Sequence, residues 1–157
     1  MKAIDLTHII TEDMPVYPGT EPPKLTPANS YERDGFKETL LSLYTHTGTH
    51  IDPPAHIFPD GRTLDEFPPE QFIGKALVID CRGIKAGGAI TLSHIERYGE
   101  KAGKADFLLF NLGWGRLWGT EAYFGDYPCL DDAALGLIIG GGYKGIGFDV
   151  IGLDPIS

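Results

Sequence analysis

The apolar and polar positions of this chain fall into short runs separated by turn residues. Residues 3–9 carry brief β-type patterning, and turn signals follow at Pro15, Pro18-Gly19 and Pro22-Pro23. Residues 11–35 therefore read as a long ordered loop or meander, a kind of segment that often carries function. Polar and apolar residues alternate over 39–45 as in a half-buried strand, which leads directly into His46. Residues 64–72 read as a turn or short helix. The continuous apolar run at 75–81 suits a buried strand. Thr91 is placed as a helix N-cap, with Leu92, Ile95 and Tyr98 at three-residue spacing up to Gly99. Residues 106–111 read as a second buried strand. Asp131 or Asp132 starts a helix through Leu135 and Ile139, stopped by Gly140-Gly141-Gly142, and residues 145–150 read as a last strand. Strands alternating with short helices predict an α/β domain, and the opening segment favours a mixed sheet over a purely parallel one. Without internal repeats or a linker, residues 1–157 read as a single domain.

Composition narrows the function. At 157 residues and 42% hydrophobic, the chain is long enough for a real core. A net charge of -9 leaves no basic stripe for phosphates and excludes a nucleic-acid partner. It does not exclude an anionic substrate, because a bound divalent cation dominates its local field. No apolar run is long enough to span a bilayer, and the start lacks a secretory signal, so the expected setting is cytoplasmic. Cys81 and Cys129 are isolated, which suits a reducing compartment, and each reads as a small buried apolar residue. The 21 glycines and 12 prolines are dispersed among hydrophobic segments, which marks a loop-rich domain instead of low complexity.

The chemistry concentrates in one place. His46-Thr47-Gly48-Thr49-His50-Ile51-Asp52-Pro53-Pro54-Ala55-His56 holds three of the five histidines, an aspartate and two prolines. Neutral imidazole and carboxylate are what zinc or manganese takes from a protein. His46 and His50 are spaced for one face of a helix, but Thr47, Gly48 and Thr49 are poor helix formers, which favours a strand end and tight turn. His50 and Asp52 share a face of an extended chain, and proline after Asp52 supports that conformation. His46, His50 and Asp52 are the candidate metal ligands. His56 is a fourth ligand, a general base, or a group that orients a ligand from behind. His8 and His94 read as ordinary residues, His94 on the solvent face of its helix.

The pattern H-x-G-T-H-x-D-x-P-x-H resembles the signature of the putative cyclase family of metal-dependent hydrolases, which includes kynurenine formamidase and isatin hydrolase. Residues 4–8, the loop from Met14 to Gly19, Leu112-Gly113-Trp114 and residues 145–149 resemble further segments of the family. The resemblance implies a swivelling β/β/α fold in a homodimer or larger homo-oligomer. It implies His46, His50 and Asp52 as metal ligands and His56 as the proton-transfer residue. Tyr17 stands where formamidases tend to carry tryptophan, so an aromatic substrate wall is kept. Trp114 lines the pocket or is equally well a core residue. Family members continue beyond the equivalent of residues 149–154 into a segment that supplies a further histidine and an acidic residue, whereas this chain ends at Ser157. The expected domain thus lacks that segment, and a second metal's ligands would have to come from a neighbouring subunit.

The expected function is hydrolysis of a small amide, formamide, lactam or lactone by a metal-activated water, on zinc or, alternatively, manganese. The rival readings are a non-catalytic metal- or ligand-binding domain, an inactive truncated family member, and a structural site closed by His56.

Overall fold

The computed structural model describes residues 2–156. The chain divides into two compact units, one up to Glu66 and one from Phe67 onward.

In the N-terminal unit, Lys24–Asn29 (β1) and Glu38–Ser42 (β2) form an antiparallel pair joined through a short helix, Tyr31–Asp34 (α1). Leu25 faces Leu41 and Thr26 faces Leu40, with an irregularity between Pro27 and Asn29. Gly35 ends α1 in the left-handed conformation at φ 76°, which a residue without Cβ adopts freely. The segment expected as a long ordered loop or meander at 11–35 thus contains a strand and a helical turn. The strand expected at 3–9 is not formed: those residues run without ladder partners among the described residues, and all are exposed. Alternation supplies a face to bury, but a strand also needs an edge to pair with. Likewise β2 forms where the alternation predicts, yet every one of its five residues is exposed instead of half-buried.

In the C-terminal unit, Ala76–Asp80 (β3), Phe107–Asn111 (β5) and Gly145–Phe148 (β7) build a parallel three-stranded sheet in the order β3-β5-β7. Ala89–Ile90 (β4) and Cys129–Leu130 (β6) form a second, two-residue parallel pair that carries no sequence signal of its own. Parallel pairing needs a long crossover, and the helices supply it. Leu92–Glu96 (α2) and Glu100–Gly103 (α3) lie between β4 and β5, and Asp132–Gly140 (α4) lies between β6 and β7. The chain is therefore an α/β protein with strands paired in both senses, parallel and antiparallel in separate sheets.

One face of the parallel sheet makes the core. Ile79, Leu108 and Phe110 are fully buried, and the Phe110 and Phe148 rings stack 4.9 Å apart at 12°. Each such side chain contributes about 1.5–3 kcal/mol on burial. The run at 75–81, expected to be buried throughout, instead alternates: Ile79 is enclosed while Val78 faces outward, because the helices cover one side only. Ile95 of α2 and Ala134 of α4 close that side. Asp131, not Asp132, caps α4, accepting from the Ala134 N–H at 2.8 Å. Thr91 caps α2 as expected, but His94 is not a solvent-facing bystander. Its Nδ1 accepts from the Thr91 N–H at 3.0 Å, which completes a reciprocal capping box. Cys81 is buried and pushed up to about 11 by desolvation; Cys129 is half-buried, and both are free thiols. Among the described residues, no helix is long and apolar enough to cross a membrane.

Candidate metal centre

The chain leaves β2 and reaches His46 four residues later. It then turns at Gly48, where φ is +65° and an added Cβ would lie 3.1 Å from Met14 Cε. Only glycine accepts that conformation without strain. The turn directs the Gly48 carbonyl at His50, whose Nδ1 lies 2.7 Å from it. A carbonyl can only accept, so Nδ1 carries the proton and Nε2 is left with its lone pair. That Nε2 stands 3.1 Å from Asp52 Oδ1, and the same oxygen lies 2.5 Å from His46 Nδ1. One carboxylate oxygen thus faces two imidazole nitrogens. Two acceptor lone pairs 3.1 Å apart call for positive charge between them, a proton or a metal cation.

His56 arrives by a different route. Pro53 is extended at φ -79° and ψ 162°, and Pro54–His56 forms a single 3-10 turn closed by the His56 N–H on Pro53 O at 2.9 Å. The returning segment of this loop holds the turn from behind, the Ala55 N–H donating to Arg62 O at 3.1 Å. Gly61 makes that approach possible: a Cβ there would sit 2.5 Å from the Pro54 carbonyl carbon. The result is a His56 ring packed on His46, centroids 3.8 Å apart and tilted by 33°, while His50 meets His46 edge-on at 5.1 Å.

His46, His50 and Asp52 each offer one ligand atom, all within 4.8 Å of one another. Donors about 2.1 Å from a shared ion stand at most about 4.2 Å apart, so a contraction within side-chain rotation would seat all three. The Asp52 side chain remains half-exposed, which leaves an approach open to reactants. The donor set therefore fits a divalent cation.

Tyr17 closes a turn, its carbonyl accepting the Thr20 N–H at 2.9 Å, and its ring is about half exposed. Trp114 belongs to the C-terminal unit, in the 3-10 turn Trp114–Leu117; it is buried and its indole N–H donates to Tyr123 O at 3.0 Å, which supports the core alternative. His8 and His94 stand outside the cluster. Two contributors escaped the sequence reading. Thr47 is buried and its hydroxyl has no partner among the described residues, a consequence of packing that residue type does not announce. Gly61 was legible in principle, since Pro59-Asp60-Gly61 is a turn signal.

Two ring nitrogens and a carboxylate, with a third imidazole stacked alongside, are a donor set suited to metal-assisted hydrolysis. The chain belongs to the family whose model is described as "Putative cyclase", matched over residues 4–155. Its sequence is similar to the kynurenine formamidase of Salinibacter ruber, 34% identical over 82 residues, or 51% of this chain and 39% of that one. The kynurenine formamidase of Geobacillus thermodenitrificans is 29% identical over 156 residues, 98% of this chain and 71% of that one. The structure is similar to isatin hydrolase A from Labrenzia aggregata, solved bound to benzyl benzoate, with 26% identity and a TM-score of 0.82 over 97% of this chain and 69% of that one. It is also similar to a potential metal-dependent hydrolase with cyclase activity, with 26% identity and a TM-score of 0.70 over 96% and 69% of the two chains. The chain thus spans between about two fifths and seven tenths of the length of these relatives. The two solved structures are named as hydrolases and the two sequence relatives as formamidases, the classes to which the motif pointed.

Proposed function

We propose that the chain is a metal-dependent hydrolase of small amides, formamides, lactams or lactones, resembling arylformamidases in acting on C–N bonds other than peptide bonds. The carrying observation is the convergence of His46, His50 and Asp52 ligand atoms within 4.8 Å, beside the His56 ring. His46, His50 and Asp52 hold the cation, zinc first and manganese as the alternative, both suited to nitrogen and oxygen donors. When bound, such a cation polarises a carbonyl and lowers the pKa of its water from about 16 toward about 7. The Gly48 carbonyl fixes the His50 tautomer so that Nε2 points into the centre. His56 takes the proton from the attacking water and delivers it to the leaving nitrogen, a task suited to an imidazole near neutral pH. Tyr17 supplies an aromatic wall, and Trp114 supports its own unit from the core.

The single family match running through both units supports reading residues 1–157 as one domain. The free cysteines suit a cytoplasmic setting, and the family resemblance suits a homo-oligomer. The test is metal quantitation together with turnover of N-formyl aromatic amides, lactams and lactones by protein prepared with zinc or manganese. His56→Ala is expected to retain the metal and lose turnover; a non-catalytic binder would lose nothing. A folded, metal-loaded protein inert toward all three substrate classes refutes the proposal.

A further inference from the structure

Few residues of the N-terminal unit are buried, yet Met14 is only 5% exposed. Among the described residues of that unit, Pro23 and Thr47 alone are buried with it. Thr47 immediately precedes Gly48, and a Cβ at Gly48 would lie 3.1 Å from Met14 Cε and 3.8 Å from Ile10 Cγ1. Two of the three enclosed side chains thus stand at the turn between His46 and His50.

Met14 is fixed there by its own segment. Its N–H donates to Thr11 O at 3.3 Å, and the Glu12 carboxylate accepts the Leu25 N–H of β1 at 2.8 Å. A little upstream, the His8 N–H donates to the Thr49 hydroxyl at 3.4 Å. Residues 8–14 therefore meet the 47–50 turn at two places, by a hydrogen bond at Thr49 and by packing on Gly48.

The packing matters because glycine permits a φ of +65° without imposing it; no other residue type has so wide a choice of backbone conformations. A turn centred on glycine needs a restraint from outside. Here its conformation has a chemical consequence. The Gly48 carbonyl accepts the Nδ1–H of His50 at 2.7 Å, which leaves Nε2 towards Asp52 Oδ1 at 3.1 Å. An unbranched thioether side chain fills an irregular gap of this kind well. Truncating it opens space on the side where Gly48 lacks a Cβ, and the turn is free to rotate into it.

We propose that Met14 is a positioning residue: its methyl, seated on Gly48, holds the turn whose carbonyl keeps the His50 proton on Nδ1 and turns Nε2 to the ligand cluster. The proposal rests on the reading of His50 as a metal ligand, but the tautomer itself is measurable without metal or substrate.

The experiment uses the full chain with isotope-labelled histidine, reading the ring-nitrogen NMR shifts of His50 in metal-free protein and then the Kd for zinc. His50→Ala identifies the His50 signals. The wild type is expected to show the Nδ1–H tautomer. Met14→Leu, which nearly conserves volume, is expected to keep both the tautomer and the zinc Kd. Met14→Ala is expected to mix the tautomers and raise the Kd about 10–100-fold, the usual cost when a ligand loses its support. Ile79→Val, a core change in the C-terminal unit, controls for lost stability and is expected to change neither reading. Should Met14→Ala fail to fold, the wild type with methyl-labelled methionine gives the second measurement, since the chain has only two methionines. A nuclear Overhauser contact from the Met14 methyl to the Gly48 α protons is expected, with the methyl signal moving as zinc is added. A wild type with the proton on His50 Nε2, a Met14→Ala protein with wild-type tautomer and Kd, an Ile79→Val protein that loses the tautomer equally, or a missing Met14–Gly48 contact overturns the proposal. A wild type that holds the Nδ1–H tautomer but takes up no zinc would instead count against the hydrolase reading, and the two failures are told apart.

Discussion

Gly61→Ala separates holding the metal from moving the proton. The added Cβ would lie 2.5 Å from Pro54 C and 2.6 Å from Ala55 N, where ordinary contact begins at 3.4 Å. Both obstacles are backbone, so no side chain can swing aside. The 54–62 loop must open by about 0.9 Å, the difference between 3.4 and 2.5 Å. That loop carries the His56 ring and its 3.8 Å stacking on His46, whereas His46, His50 and Asp52 lie upstream and are fixed by their own contacts. A displacement of about 1 Å in a reacting group costs on the order of 100-fold in rate, about 2.7 kcal/mol of barrier. Overpacking adds about 1–3 kcal/mol of destabilisation. The expected result is kcat/KM on an N-formyl aromatic amide reduced roughly 100-fold, with metal content equal to wild type. Full activity at full metal content would show that His56 does not need its observed position, and the proton-transfer assignment would fall.

Divalent metal at about 100 times its Kd is expected to stabilise the wild type by about 2.7 kcal/mol, a Tm rise of roughly 5–11 °C, and to leave Asp52→Ala unmoved; an equal rise in both proteins would place the ion elsewhere. Asp149 accepts the Leu112 and Gly115 N–H groups at 2.7 and 3.3 Å. Asp149→Ala strands both and is expected to lower urea stability by about 1–3 kcal/mol, while a change within error would show that water replaces the carboxylate. Burial pushes the Cys81 thiol from 9.0 up to about 11, so the folded state holds its proton more tightly than the unfolded chain. Stability from this group is complete below pH 9 and is lost as pH rises toward 11. Urea midpoints across that window should fall for the wild type and less steeply for Cys81→Ala.

The three strands of the parallel sheet and the helices α2 and α4 were legible because their signals are local, whereas β4, β6 and α3 carried none. The apolar runs at Ala76–Asp80 and Phe107–Asn111, the Thr91 cap and the glycines after Ile139 each act within a turn or a strand of their own position. The convergence of the candidate ligands was legible for a related reason: His46, His50 and Asp52 are close in sequence, so residue type and spacing nearly suffice to bring them together. Burial was not legible. Residues 3–9 and β2 have the alternation of strands with an inner face, yet both lie exposed, because whether a face is covered depends on surfaces supplied from outside the segment. His94 became a cap and Trp114 a core donor on the same principle, through partners that their own neighbourhoods do not name.

What the sequence by itself determined is the inventory of chemistry and the local conformations: an imidazole–carboxylate motif, its turn at Gly48, and the alternation of strands and helices. The tertiary structure alone decided that the Gly48 carbonyl sets the His50 tautomer and that Gly61 brings the His56 ring onto His46. It also decided that β2 pairs with β1 alone among the described residues and lies exposed along its whole length. Local patterns follow from energies within a few residues, whereas these features depend on distances between segments that meet only once the chain is folded.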